Sequence, residues 1–448
     1  MMKSLLVAVA VASGLIAAGN AADNALVVLS ADGKLISSEG AKVSSVSARK
    51  SAPPYVRFDY EPEKPGMSLK LKVEGLNPKF WTVVSDGWNL GKWLYTDFAQ
   101  GVDLGVQPAG TYEVGKSGGP TRPKNWDEWK AMLKQVKSTY DGSMQMCYFW
   151  APEKAANEAV PLVVGLHTWS GDWKQTVHYA TVLNYAKSKG WAMVGPNFRG
   201  PNDHPEACGG DAAVQDIVDA VNFAKSQVKI DASRVYIIGG SGGGHMTLLM
   251  AGRHPEIWAG CAAFCPITDI ARWHADSSLD HPGRGKNYAV MMEGACGGKP
   301  AEKPEEYRHR SPLTWIDRAK AAKVPVYIVT GIHDGWTGSV PVGHSFRAYN
   351  ALAAAKDAVS EDDITAIETD QKVPAAIAYN GTPDPFYDSA RKIHFRRTSE
   401  NVRFTLFEGG HGGNFPAGLD FLSRQVKGAP ADFTLPEKAT GSEEKLGK

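Results

Sequence analysis

A hydrophobic strand that passes through a run of glycines into a helix is the feature that most restricts how this chain can fold. Residues 235–238 read Val-Tyr-Ile-Ile, and residues 239–245 read Gly-Gly-Ser-Gly-Gly-Gly-His before an apolar segment. In a Gly-x-Ser-x-Gly turn between strand and helix, the serine is strained and its Oγ is exposed. A phosphate loop would need Gly-Lys-Ser or Gly-Lys-Thr, which is missing. We predict that Ser241 is a nucleophile and that the N–H of Gly242 is an oxyanion donor.

An acid and a histidine should follow such a nucleophile in chain order. An apolar strand at 324–329 leads to Asp334, and another at 402–407 leads to His411 in a glycine-rich loop. We predict that Asp334 orients His411, which takes the proton from the nucleophile.

Each of these assignments has an alternative. Asp269, after the predicted strand 261–264, is the rival acid. His333 and His344 are weaker candidates for the base because they flank the predicted acid. Asp334 itself could be a solvated turn residue.

The second oxyanion donor should lie in the loop after the strand 162–166. That loop begins His167-Thr168-Trp169, so the N–H of Thr168 or Trp169 is the candidate. The predicted substrate-binding residues are Trp173, Trp336, Arg199 and His167. Thirteen tryptophans are an enriched count, and five of them on predicted loops or loop edges suggest an aromatic cleft: Trp169, Trp173, Trp258, Trp273 and Trp336.

The pattern of predicted strands and helices changes along the chain, which predicts an α/β fold preceded by a small β-domain. Residues 22–119 read as short strands separated by turn residues, as in a β-sandwich. Residues 120–137 are predicted to form a linker followed by a helix at 126–137. Residues 138–430 alternate strand and helix, which predicts a mostly parallel sheet with helices on both faces. An insertion at 357–400 should either shape the pocket or form a plain hairpin, and 431–448 should be a flexible tail.

The N-terminal residues and the composition of the chain indicate where the protein is located and which partners it has. Residues 1–21 combine Lys3, an apolar core and a small-residue cleavage site, which predicts a signal peptide and a secreted or periplasmic protein. Export permits disulfides, and we expect one or two among the five cysteines. No spacing typical of a metal site is present, and no cofactor is predicted. With 49 basic and 48 acidic residues, nucleic acid is not an expected partner. No further membrane span is predicted.

Taken together, these motifs make the second half of the chain resemble the α/β-hydrolase fold and, within it, the prolyl-oligopeptidase-like serine hydrolases. The matching segments are 140–145, 196–200, 240–245, 310–313, 331–341 and 408–411. The resemblance implies Ser241 as nucleophile, Asp334 as acid and His411 as base. Two departures matter. The N-terminal segment is too short for a β-propeller, and the loop at His167 resembles that of esterases.

We therefore expect a secreted serine hydrolase that cleaves a carboxylic ester, such as an acetyl or feruloyl ester on polysaccharide, through an acyl-enzyme. One alternative is a prolyl-oligopeptidase-like peptidase that acts on short peptides. The other is a non-catalytic glycan-binding protein on a hydrolase scaffold.

Overall fold

The computed structural model describes residues 24–49, 55–76, 80–85, 88–107, 109–115, 122–123, 125–278 and 288–439. The chain consists of two compact units, of which the first ends at Arg122 and the second begins at Pro123. The predicted signal peptide, most of the predicted linker and the end of the predicted tail lie outside the described residues.

The first unit consists of two sheets around a shared core. One sheet has the order β2-β1-β5-β8 and the other β3-β4-β9-β6-β7. Alternate residues of β4 and β5, such as Phe58 and Leu69, point into the same hydrophobic cluster. This arrangement confirms the predicted β-sandwich-like domain. Its elements are β1 (Asn24–Ser30), β2 (Leu35–Glu39), β3 (Ala41–Arg49), β4 (Tyr55–Pro62), β5 (Ser68–Glu74), β6 (Phe80–Ser85), β7 (Trp88–Leu94), α1 (Tyr95–Gln100), β8 (Val102–Val106) and β9 (Gly110–Gly115).

The second unit contains a nine-stranded sheet with the order β10-β11-β13-β12-β14-β15-β16-β18-β17. The six strands from β13 to β18 in that order are parallel, and β10, β11 and β17 are antiparallel. Its strands are β10 (Leu133–Lys137), β11 (Met144–Trp150), β12 (Val160–Leu166), β13 (Ala192–Pro196), β14 (Ile230–Gly240), β15 (Gly260–Phe264), β16 (Val326–Gly331), β17 (Ile393–Ser399) and β18 (Val402–Phe407).

Helices cover both faces of this sheet. Leu162 and Val164 of β12 face one hydrophobic cluster, and Val163 between them faces the other. Because both faces of the parallel strands are buried, most of their central residues are apolar. The predicted α/β-hydrolase fold is thus confirmed. The helices are α2 (Trp126–Met132), α3 (Thr176–Lys189), α4 (Asp211–Gln227), α5 (Gly242–Arg253), α6 (Ile270–Ser278), α7 (Tyr288–Cys296), α8 (Pro304–His309), α9 (Ile316–Ala321), α10 (Gly343–Leu352), α11 (Glu361–Asp370) and α12 (Phe415–Ser423).

The helix predicted at 126–137 is wrong in its second half. Helix α2 ends at Met132, and the next five residues form the edge strand β10. That strand pairs antiparallel with β11, with Leu133 opposite Tyr148. The helical spacing of apolar residues is local, whereas the hydrogen bonds that this strand gains come from residues further along the chain.

The insertion at 357–400 is more than a plain hairpin. It contains helix α11 and ends in β17, which pairs with β18 through a tight turn. Asn414, at the start of α12, donates its side-chain N–H to the backbone oxygen of Phe386 at 2.7 Å. The insertion is therefore attached to the segment that follows His411.

The cysteines differ from the prediction of one or two disulfides, because all five are unpaired and buried. Cys147 and Cys261 lie in the main core, and Cys208 and Cys296 lie in a smaller cluster around Trp273. They pack as small hydrophobic side chains. In the part of the chain that the structure describes, no helix has both the length and the apolar character that crossing a bilayer requires.

Candidate active site

The predicted nucleophile, acid and base follow three of four successive parallel strands, at the same edge of the sheet. Ser241 follows β14, Asp334 follows β16 and His411 follows β18. The carboxyl ends of parallel strands meet at one edge, where ligands of open α/β sheets bind. Ser241 and His411 line the same cavity.

Ser241 lies on a strained turn between β14 and α5. Its backbone has φ 59° and ψ −119°, outside the regions that most non-glycine residues adopt. Its N–H donates to the oxygen of Phe264 at 2.8 Å, and its own oxygen accepts from the N–H of His245 at 2.8 Å. A Cβ at Gly239 would lie 2.5 Å from the backbone of Gly243. The small residues of the motif are therefore required for the tight packing of this turn.

Asp334 and His411 form a hydrogen-bonded pair. Nδ1 of His411 lies 2.8 Å from Oδ2 of Asp334. The carboxylate is 2 % exposed and also accepts the N–H groups of Gly335 at 3.0 Å and Val340 at 3.1 Å. Because a carboxylate accepts, Nδ1 carries the proton and Nε2 keeps its lone pair. Burial lowers the pKa of His411, but the adjacent Asp334 carboxylate and the Cys265 sulfur together raise it by more, so this pKa lies well above its ordinary value.

The oxyanion donors can now be distinguished. The N–H of Thr168 is occupied, because it donates to the side-chain oxygen of Gln175 at 2.8 Å. The backbone of Trp169 instead approaches the nucleophile turn: a Cβ at Gly242 would lie 2.4 Å from the nitrogen of Trp169. The N–H groups of Gly242 and Trp169 are therefore the candidate pair.

The cavity beside Ser241 has a volume of about 310 Å³. Several lining residues were not predicted from the sequence, above all Phe264, Tyr288 and Phe415. The rings of Phe264 and Phe415 lie 4.7 Å apart. Phe264 is the last residue of β15, the strand next to β14. Its place at the end of a predicted strand is the sequence signal that could have identified it. The lining residues are Thr168, Trp169, Ser170, His178, Gly240, Ser241, Phe264, Cys265, Tyr288, His411, Gly412, Gly413 and Phe415.

A comparison of the sequence with known protein families agrees with the α/β-hydrolase fold and with the motif around Ser241. Residues 177–365 match the profile of the prolyl oligopeptidase family. The matched segment lies within the second unit. The resemblance predicted from the motifs is thus confirmed.

The chain also has curated relatives at low identity. Feruloyl esterase B of Neurospora crassa is 32% identical over 129 residues, which are 27% of this chain and 43% of that protein. The acylamino-acid-releasing enzyme of Rattus norvegicus is 30% identical over 178 residues, 37% of this chain and 22% of that protein. The chain thus aligns with half or less of the length of these relatives. Among solved structures, a puromycin-hydrolyzing peptidase of Mycobacterium tuberculosis has a TM-score of 0.49 at 17% identity, covering 88% of this chain and 56% of that chain.

The alternative acid and the alternative bases have other partners. Asp269 accepts the backbone N–H of Arg272 at 3.0 Å in the first turn of α6. His333 lies between Gln371 and Glu408. His344 is fully buried and accepts the N–H of Thr268 at 3.2 Å. None of these three side chains lines the cavity.

Two of the predicted substrate-binding residues are structural. Arg199 is bonded to Asp216 at 2.6 Å and to Asp141 at 2.7 Å, so its charge is already neutralised away from the cavity. His167 is fully buried, with Nδ1 2.8 Å from the oxygen of Thr168 and Nε2 2.6 Å from that of Asn197. These two contacts connect the loop that contains Thr168 and Trp169 to the segment around Asn197. The prediction that these two residues touch substrate is corrected.

The predicted aromatic cleft is also corrected, because Trp169 is the one tryptophan of the five that lines the cavity. Trp173 packs beside Tyr148, and Trp336 is 38% exposed and donates to the oxygen of Glu368. Trp258 and Trp273 are fully buried and donate to backbone oxygens. Phenylalanine and tyrosine take the place that the sequence suggested for tryptophan.

Replacing Gly242 by alanine keeps the N–H of residue 242 but should displace the N–H of Trp169, which is expected to lower kcat by about 10² to 10³-fold, the cost of losing one oxyanion donor. The added Cβ would lie 2.4 Å from Cα and N of Trp169, backbone atoms that can yield only if the loop moves. Steady-state kinetics on an ester would measure the loss. Gly240→Ala is the matched control, since its Cβ meets its nearest neighbour at 3.8 Å. Equal losses in the two variants would contradict this role of Gly242.

Proposed function

We propose that this protein is a serine hydrolase that cleaves carboxylic esters through an acyl-enzyme. The observation that carries the proposal is the hydrogen-bonded Asp334–His411 pair, whose histidine lines the same cavity as Ser241 and Trp169. A protonated Nδ1 on His411 leaves Nε2 as the base that a serine nucleophile needs.

In the proposed reaction, Oγ of Ser241 attacks the ester carbonyl while Nε2 of His411 takes the serine proton. The N–H groups of Gly242 and Trp169 stabilise the oxyanion. His411 then gives the proton to the leaving alcohol, and the acyl-enzyme forms. Water attacks the acyl-enzyme with His411 again as base, which releases the acid and restores Ser241.

The absence of fixed charge in the cavity supports an ester rather than a peptide terminus as substrate. Among the described lining residues there is no Asp, Glu, Lys or Arg. An exopeptidase needs a charged group to bind the free end of its substrate. The charged residues Arg199 and Glu206 do not line the cavity and are paired with Asp216 and His204 respectively.

The aromatic lining supports an acyl group that is itself aromatic. Phe264, Phe415 and Tyr288 contribute ring faces or edges to a cavity of about 310 Å³, and aromatic rings pair favourably in offset or edge-on geometry. The relatives named feruloyl esterase B support the same acyl class. We propose feruloyl-type esters on polysaccharide as substrates of the exported protein, and its export rests on the predicted signal peptide.

A peptidase is the second candidate, favoured by the family match and by the relatives named acylamino-acid-releasing enzyme. A panel of methyl ferulate, an acetyl ester and aminoacyl-naphthylamides would separate the two functions. We expect kcat/KM to be highest for the aromatic ester, because its acyl ring fills the cavity. The Ser241→Ala variant gives the background rate for each substrate. Amide rates equal to or above the ester rates would reverse the assignment.

A further inference from the structure

A third side chain with metal-binding chemistry lies against the Asp334–His411 pair. Cys265 directly follows β15, and ligand atoms of Cys265, Asp334 and His411 all lie within 4.8 Å of one another. The three residues come from positions far apart in the sequence, after three different strands. For this reason no motif spacing indicated the cluster.

The thiol of Cys265 has no part in the proposed ester reaction. It is 2% exposed and lies on the cavity wall. Its Sγ is 3.1 Å from the backbone oxygen of Gly412 and 3.5 Å from Oγ1 of Thr330. Its backbone has φ 45°, a strained value for a non-glycine residue. The backbone thus holds the sulfur beside the imidazole at a cost in free energy.

The donor set matches the preferences of a thiophilic divalent cation. Zn²⁺ binds thiolate, imidazole and carboxylate in a tetrahedron, with bonds of about 2.0 to 2.3 Å. Such bonds place the ligand atoms roughly 3.3 to 3.8 Å apart. Three bonds would therefore form if the widest separation closed by about 1 Å and if Nδ1 of His411 and Oδ2 of Asp334 moved apart by about 0.5 Å. The adjoining cavity admits the ion and leaves the fourth position for water.

We propose that Cys265, Asp334 and His411 form an inhibitory binding site for Zn²⁺ or another thiophilic divalent cation. The inhibition rests on the proposed hydrolase function, whereas the binding does not. The site would couple hydrolysis to the concentration of such cations around the protein.

The chemistry of binding explains the inhibition. In the free pair, Nδ1 of His411 carries the ring proton and Nε2 carries a lone pair. A cation on Nδ1 leaves the ring proton on Nε2, which can no longer accept the proton of Ser241. Cys265 binds as thiolate, so its proton passes to solvent and one proton is released per ion. No electron transfer takes place.

Binding is tested on the whole protein with Co²⁺ as a spectroscopic probe. We expect a near-ultraviolet cobalt–thiolate charge-transfer band in the wild type and in Ser241→Ala. The band should be lost in Cys265→Ala and remain in Cys147→Ala, the matched control for a buried cysteine elsewhere in the unit. Because Ser241→Ala is tested too, the result does not depend on turnover. A missing band in the wild type, or an unchanged band in Cys265→Ala, would overturn the proposal.

Inhibition is tested with Zn²⁺ against ester hydrolysis, each variant being compared with its own rate in EDTA. We expect reversible inhibition of the wild type and of Cys147→Ala. Cys265→Ala should need at least about tenfold more Zn²⁺, since even the loss of an outer partner weakens metal sites by that factor. A cobalt band without ester turnover would refute the proposed function and retain the metal site. Equal sensitivity of Cys265→Ala and the wild type would refute the site.

Discussion

Ser241→Ala is expected to lower kcat for an aromatic ester by about 10⁶-fold, the effect of removing a nucleophile that acts with an acid and a base. The variant keeps the two N–H groups of Gly242 and Trp169, so a small rate above the uncatalysed reaction should remain. The side chain removed is small and only partly buried, and the fold should be retained. Steady-state kinetics together with thermal unfolding would measure both effects.

Ser170→Ala is the matched control, because Ser170 is a second serine on the same cavity wall. A loss in this variant comparable to that of Ser241→Ala would contradict the assignment of the nucleophile. So would a burst of product from Ser241→Ala, since a burst requires an acyl-enzyme.

Asp334→Asn is expected to lower kcat by about 10⁴-fold, because an amide no longer favours the tautomer with its proton on Nδ1. It should also change the pH profile. His411 must be neutral to act as base, so activity falls as pH decreases through its pKa. The Asp334 carboxylate raises that pKa, and the wild-type midpoint should lie above the ordinary value of about 6.5. In Asp334→Asn the remaining activity should fall only at lower pH.

Asp269→Asn is the control for this prediction. Asp269 caps the first turn of α6 and has no contact with His411 in the described structure. Its replacement should leave the pH midpoint in place and cost at most the stability of a helix cap, about 1 kcal/mol. A shift of the midpoint in Asp269→Asn, with none in Asp334→Asn, would make Asp269 the acid.

Some assignments need only local sequence because the local backbone carries the information. The turn at Ser241 requires glycines before and after it, and the chain has them at Gly239 and Gly243. Strands β16 and β18 are mostly apolar and end shortly before Asp334 and His411. The alternation of strand and helix was sufficient to predict the parallel sheet.

Other assignments depended on contacts between segments that are distant in the sequence. The choice between Thr168 and Trp169 rests on Gln175, whose side chain occupies one of the two N–H groups. Arg199 is a charged residue in a matching motif, yet its charge is balanced by Asp141 and Asp216. The sequence carries no mark of such pairing.

The sequence by itself determined the α/β architecture, the nucleophile turn and the chain order of acid and base, because each depends on short segments whose backbone geometry restricts their residues. The tertiary structure alone decided the wall of the cavity, with Phe264, Tyr288 and Phe415 in place of the expected tryptophans. It also placed Cys265 against His411 and Asp334. The physical reason is that the ends of parallel strands converge in space, so side chains far apart in the chain share one small volume whose composition no local pattern records.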